Sequence, residues 1–233
     1  MYSNKKLARI AGALYLVVIA TGLFAEVFVR QRLSVPGDAV ATAHNIRNAD
    51  FLFRAGLVAD LVNLVCGLPI VLIVYILFKP VNKYLAILAV FFVVVQTAAI
   101  AANLNNQVST LLYLGGETYL SAFQPGQLAV LAKHGLSVQS HGYGIALIFF
   151  AFYCMIAGYL IYRSAIVPRV LGILYAIAGL AYLINTLTLF LLPKADLFIY
   201  FAIPAFLGEL SLCMWWLVMG VKEQAQEQTI QRR

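Results

Sequence analysis

Six runs of apolar residues, each long enough to cross a bilayer as a helix, recur at about 10–29, 51–78, 84–106, 136–162, 168–192 and 197–221. A hydrocarbon core asks for about 20 apolar residues in a helical span. Lipid offers no partner to a bare backbone N–H or C=O, so a crossing segment must satisfy its own. The runs predict an all-α fold: a polytopic membrane protein, a six-transmembrane-helix bundle with short surface helices in the two long outer loops. All 233 residues read as a single integral membrane domain.

Composition agrees. The chain is 63% hydrophobic and 11% charged, with mean hydropathy +0.91. A soluble domain is nearer half apolar and a quarter charged, so the bilayer must act as solvent for most of this surface. The net charge of +7 then reads as topology rather than as a nucleic-acid footprint, since no basic stripe or nucleic-acid motif accompanies it. Six spans put both termini on one side. That side carries Lys5, Lys6, Arg9, Lys79, Lys83, Arg163, Arg169, Lys222, Arg232 and Arg233. The other carries Arg30, Arg32, Arg47, Arg54, Lys133 and Lys194. The positive-inside rule places both termini in the cytoplasm, and a bacterial cytoplasmic membrane is the expected location.

Lys5, Lys6 and Arg9 ahead of the first run resemble a signal peptide's opening. The run is long and no A-x-A-like site follows, so it is read as an uncleaved first span. Gly12, Tyr15, Ile19, Gly22 and Glu26 share one of its faces. In the loop after it, Pro36-Gly37 marks a turn and Asp38 is placed to cap a short surface helix. Arg54 can snorkel outward or pair with Asp50 one turn earlier. Cys66, Cys154 and Cys213 all fall within spans, odd in number and without a CxxC, which signals neither a disulfide framework nor a zinc site.

The expensive residues are those that lipid cannot satisfy. Asp60 and Asn63 share a face of the second span with Gly56 and Gly67, and Gln96 and Asn103 share one of the third with Gln107 and Thr110. Gly172, Tyr175, Gly179, Tyr182 and Thr186 line the fifth, beside Asn185. Ala202, Ala205, Glu209, Cys213, Trp216 and Gly220 line the last. An ionisable group at such depth needs a partner, a proton or a role. The expectation is an outward-facing polar cavity lined by Asp60, Asn63, Gln96, Asn103, His141, Asn185 and Glu209. Trp215 and Trp216 read as interfacial anchors.

No HExxH, GxSxG, P-loop or Rossmann fingerprint occurs. No metal site, cofactor or nucleic-acid partner is expected, and membrane lipids are. Three stretches carry a likeness. They are Phe53-Arg54-Ala55-Gly56 leading to Lys79-Pro80-Val81-Asn82, then Gly158-Tyr159-Leu160-Ile161-Tyr162-Arg163-Ser164 continuing into Val167-Pro168-Arg169-Val170-Leu171-Gly172, and Gly208-Glu209-Leu210-Ser211-Leu212 with Trp215 or Trp216. Together they resemble a bacterial membrane-protein family known as domain of unknown function 4386. The resemblance implies a compact polytopic membrane protein and supplies no catalytic residues.

Three functions fit these features. The first is binding or transport of a small or amphipathic ligand, with Asp60 and Glu209 as charge or proton carriers. The second is an intramembrane enzyme acting on a lipid or isoprenoid, using His141 and a carboxylate as general acid and base. The third is a structural or regulatory subunit whose polar stripes are packing glue. Six spans suit a bundle formed alone as well as a homodimer.

Overall fold

The computed structural model describes residues 3–192 and 198–222. The turn expected at 193–196, with Lys194, and the tail with Arg232 and Arg233 lie outside the described residues. Among those described there are helices and no strands. Six helical segments are long and apolar enough to cross a membrane: Asn4–Gln31, Asp50–Phe78, Lys83–Leu114, Pro125–Arg163, Arg169–Leu191 and Ile199–Val218.

In chain order, α1 is Asn4–Leu23 and runs on as a π-helical stretch, Phe24–Gln31. Then come α2 (Ala39–Asn48), α3 (Asp50–Phe78), α4 (Lys83–Asn103), α5 (Asn105–Leu114), a 3-10 turn (Thr118–Leu120), α6 (Pro125–Arg163), α7 (Arg169–Leu191) and α8 (Phe198–Val218). The short surface helix after the first span is α2. Asp38 caps it, its side chain accepting from the Ala41 N–H at 2.8 Å, and the preceding Gly37 takes φ +75°. Arg54 Nε donates to Asp50 Oδ2 at 2.7 Å. Pro69 lies within an unbroken α3.

Three helices outrun their apolar signal. The first continues past Val29 to Gln31. The third span extends through α5 to Leu114, a segment too polar in Asn105, Asn106, Gln107, Ser109 and Thr110 to announce itself by hydropathy. Helix α6 starts eleven positions earlier than the expected 136, at Pro125, whose fixed φ suits the first turn.

The chain divides into two compact units. The first comprises Met1–Val18, Val65–Thr97 and Gly144–Arg233. Its helices meet at glycines. A Cβ on Gly158 would stand 2.6 Å from the Gly172 carbonyl oxygen, and one on Gly172 would stand 2.6 Å from the Gly158 oxygen. So α6 and α7 touch backbone to backbone. Gly208 meets the Leu174 carbonyl in the same way where α8 crosses α7. Gly12 of α1 lies against the Trp216–Leu217 backbone of α8. Without a hydrophobic drive between helices in lipid, close van der Waals approach through small residues is what holds them.

The second unit comprises Ile19–Leu64 and Ala98–Tyr143. Its apolar core is Val29, Leu33, Ile46, Phe53, Leu111 and Leu136. Lys133 ties α6 to the loop before α2, donating from Nζ to Ser34 Oγ at 2.6 Å and to the Val35 carbonyl at 3.1 Å.

Beside these apolar cores many small residues are enclosed, while many large apolar side chains face outward. Ala8, Ala11, Ala86, Ala146, Ala151 and Ala178 are fully enclosed, whereas Val65, Leu72, Phe91 and Val58 are exposed. In water this surface would drive aggregation. In lipid it is the expected arrangement.

Candidate functional site

The seven expected cavity residues divide between the units. Asp60, Asn63, Asn103 and His141 belong to the second, and Gln96, Asn185 and Glu209 to the first.

In the second unit the centre is Arg30, which hydropathy assigned to a loop. The π-helical stretch Phe24–Gln31 carries it. Such segments are rare, and most are single turns at functional positions. Arg30 lies four residues on from Glu26 and Gln31 five, so the wider turn lets Gln31 reach the same carboxylate. Arg30 Nε donates to Glu26 Oε2 at 2.8 Å, and Gln31 Nε2 to Glu26 Oε1 at 3.2 Å. Arg30 Nη1 also donates to Asp60 Oδ2 at 2.5 Å. That same oxygen accepts from Gln107 Nε2 at 3.1 Å. The guanidinium lies 5.9 Å from the ring centroid of Tyr143, within cation–π range. Arg30 and Asp60 side chains are 11% and 8% exposed, whereas Glu26 is 40% exposed. One guanidinium is thus shared by a buried and a reachable carboxylate. The three groups sum to one negative charge when all are ionised.

The amides around this cluster bond within the fold. Asn103 Nδ2 donates to the Gln139 carbonyl at 2.7 Å, and its Oδ1 accepts from Asn106 Nδ2 at 2.9 Å. Gly142 leaves the space that the Asn103 side chain fills. Thr110 Oγ1 donates to the Asn106 and Ala132 carbonyls at 3.0 and 3.2 Å. Asn63 Nδ2 stands 3.4 Å from Thr21 Oγ1. His141 is exposed, with Nδ1 at 2.8 Å from the Ser137 carbonyl of its own helix.

In the first unit, Glu209 is 8% exposed. It accepts from the Tyr182 hydroxyl at 2.5 Å across α7 and α8. Around it is an aromatic wall. Tyr15 and Tyr175 hydroxyls are 3.1 Å apart. Tyr153 stands edge-on to Tyr175, and Phe150 edge-on to Tyr182. Gln96 is half-buried, its Oε1 3.5 Å from Thr97 Oγ1. Asn185 is half-buried, and its carbonyl accepts from Thr188 Oγ1. Trp216 is 1% exposed and its Nε1 has no partner. It is packed within the unit, in contrast to the anchor expected from its position. Among the described residues no three His, Cys, Asp or Glu side chains converge as a metal site.

The model of the family described as domain of unknown function DUF4386 matches residues 10–220, nearly the whole chain and all six helical spans. The chain belongs to the DUF4386 family. A protein of Archaeoglobus fulgidus titled "Uncharacterized protein" is 26% identical over 144 residues, covering 59% of this chain and 85% of that protein. That relative is archaeal, so the likeness carries no preference for a bacterial source. No solved structure matches. For this DUF4386 chain, function must therefore be argued from the two buried carboxylates and their partners.

Proposed function

We propose that this DUF4386 protein binds or transports a small or amphipathic ligand, and that the ligand is met at the Glu26–Arg30–Asp60 cluster. The observation that carries the reading is the uneven exposure of the two carboxylates that share Arg30. Removing a charge pair from water costs several kcal/mol per ion before attraction repays it. A pair needed only for packing is more cheaply replaced by apolar side chains. An arginine clamped on Asp60 at one side and on a reachable Glu26 at the other can exchange the outer partner for a charged ligand head while the inner one holds its orientation. Tyr143 and Gln107 flank that position.

We further propose that the protein is a multi-pass component of a prokaryotic cytoplasmic membrane with both termini inside. The Lys and Arg distribution supports this.

The structural-subunit reading has its own support, because Asn103, Asn106 and Thr110 bond within the fold. Native mass spectrometry with lipid profiling separates the two. Wild-type protein is expected to retain a bound species that Arg30→Gln and Asp60→Asn lose or weaken and that Glu209→Gln keeps. An unchanged set of bound species in all three variants rejects the ligand reading in favour of packing.

A further inference from the structure

A polar recess lies in the first unit, lined by neither Asp60 nor Glu209. It is built by the end of α8. Gly220 takes φ +70°, and its N–H bonds the Trp215 and Trp216 carbonyls, both at 3.1 Å. That is the left-handed stop a glycine makes at a helix C-terminus. The reversal carries Val221 and Lys222 onward, where the Lys222 N–H donates to the Ile166 carbonyl at 3.0 Å. It also sets Gly220 against Lys5 at the start of α1. A Cβ there would stand 2.9 Å from Lys5 Cγ and 3.0 Å from the Lys5 carbonyl oxygen. Arg9 locks the join, donating from Nη2 to the Val218 carbonyl at 3.0 Å.

What remains between these elements is a pocket of about 240 Å³ lined by Lys5, Trp215, Met219, Gly220, Val221 and Lys222. It is smaller than the roughly 300–1,000 Å³ of sites that enclose a whole drug-sized ligand. Lys5 and Lys222 line it, and among the described residues no side chain forms an ion pair with either. Trp215 adds its indole to the lining. Met219 and Val221 supply apolar wall. Two lysines without an ion pair among the described residues, beside an apolar wall at the end of a membrane-length helix, match the chemistry of a phosphate group attached to an acyl-bearing body.

We propose that this pocket binds the phosphate of an anionic phospholipid headgroup, with Lys5 and Lys222 as its cationic contacts. The pocket is independent of the Arg30 cluster, so either site can fail alone.

The test is a native mass-spectrometric titration of the purified full chain with dioctanoyl phosphatidylglycerol, dioctanoyl phosphatidylcholine and inorganic phosphate. Wild type is expected to favour phosphatidylglycerol over phosphatidylcholine by about thirty-fold, the contribution of two lysines near an anionic head. Lys5→Ala with Lys222→Ala removes the preference, and Lys5→Arg with Lys222→Arg retains it. Lys83→Ala, which deletes an exposed charge elsewhere, also retains it. Equal affinity for the two lipids overturns the proposal, as does a preference that survives loss of both lysines. Inorganic phosphate binding as tightly as phosphatidylglycerol makes this a free-phosphate site and overturns the lipid assignment.

Discussion

Removing Arg30 strands the Asp60 carboxylate, which keeps only Gln107 as a donor. Removing Asp60 instead leaves Arg30 its bond to Glu26. Arg30→Met is therefore expected to be the more damaging change, at about 3–5 kcal/mol for an uncompensated buried charge, with Asp60→Asn costing less. Denaturant unfolding in mixed micelles reads the order. In the first unit, Tyr182→Phe deletes the hydroxyl that serves Glu209 and is expected to cost about 1–3 kcal/mol. Tyr175→Phe breaks a bond between two neutral hydroxyls and is expected to cost about 0.5–1.5 kcal/mol. The same unfolding assay compares them, and a larger loss for Tyr175→Phe would contradict the assigned partners. At this scale Asp60 and Glu209 were legible because a carboxylate within an apolar run is anomalous whatever surrounds it. Their partners were not. Arg30 lies 30 positions from Asp60 and Tyr182 lies 27 from Glu209. Helical spacing says which residues share a face, and it is silent on which faces meet.

Helix contacts give a sharper contrast. Gly158→Ala or Gly172→Ala forces a methyl to within 2.6 Å of the facing carbonyl oxygen, so α6 and α7 must part. Overpacking of this kind costs about 1–3 kcal/mol. Gly67 sits within α3, where an added Cβ meets nothing within 4 Å. There Gly67→Ala is expected to gain up to about 1 kcal/mol of helix propensity. Thermal unfolding of the three variants checks the opposed signs. Segment identity was readable throughout, since six long apolar runs admit little else. Segment ends were not. Polar residues 105–110 continue the third span as α5, and the Phe24–Gln31 stretch continues the first beyond its last apolar residue. Both extensions are held by side-chain bonds formed only after folding, Gln107 to Asp60 and Arg30 to Asp60. Hydropathy, which scores each residue alone, ends the helix too early at these places.

For the molecule in its membrane, the proposed orientation predicts which loops an impermeant thiol reagent reaches in intact cells. Cys66, Cys154 and Cys213 all lie within membrane-length helices, so single new cysteines report cleanly once these three are replaced. Ser121→Cys, in an exposed loop before α6, is expected to react from outside. Lys83→Cys, at the exposed start of α4, is expected to react only after permeabilisation. The reverse pattern would invert the orientation. The central claim is that the Arg30 cluster is kept for a ligand rather than for packing, and replacing the whole buried pair tests it most directly. Exchange of a buried ion pair for apolar side chains is often neutral or stabilising by about 1–4 kcal/mol, so Arg30→Met with Asp60→Leu separates stability from binding in one protein. Native mass spectrometry and thermal unfolding are read together on this double variant. The expected result is a Tm at or above wild type with the bound species lost. A lowered Tm with every bound species retained would contradict it.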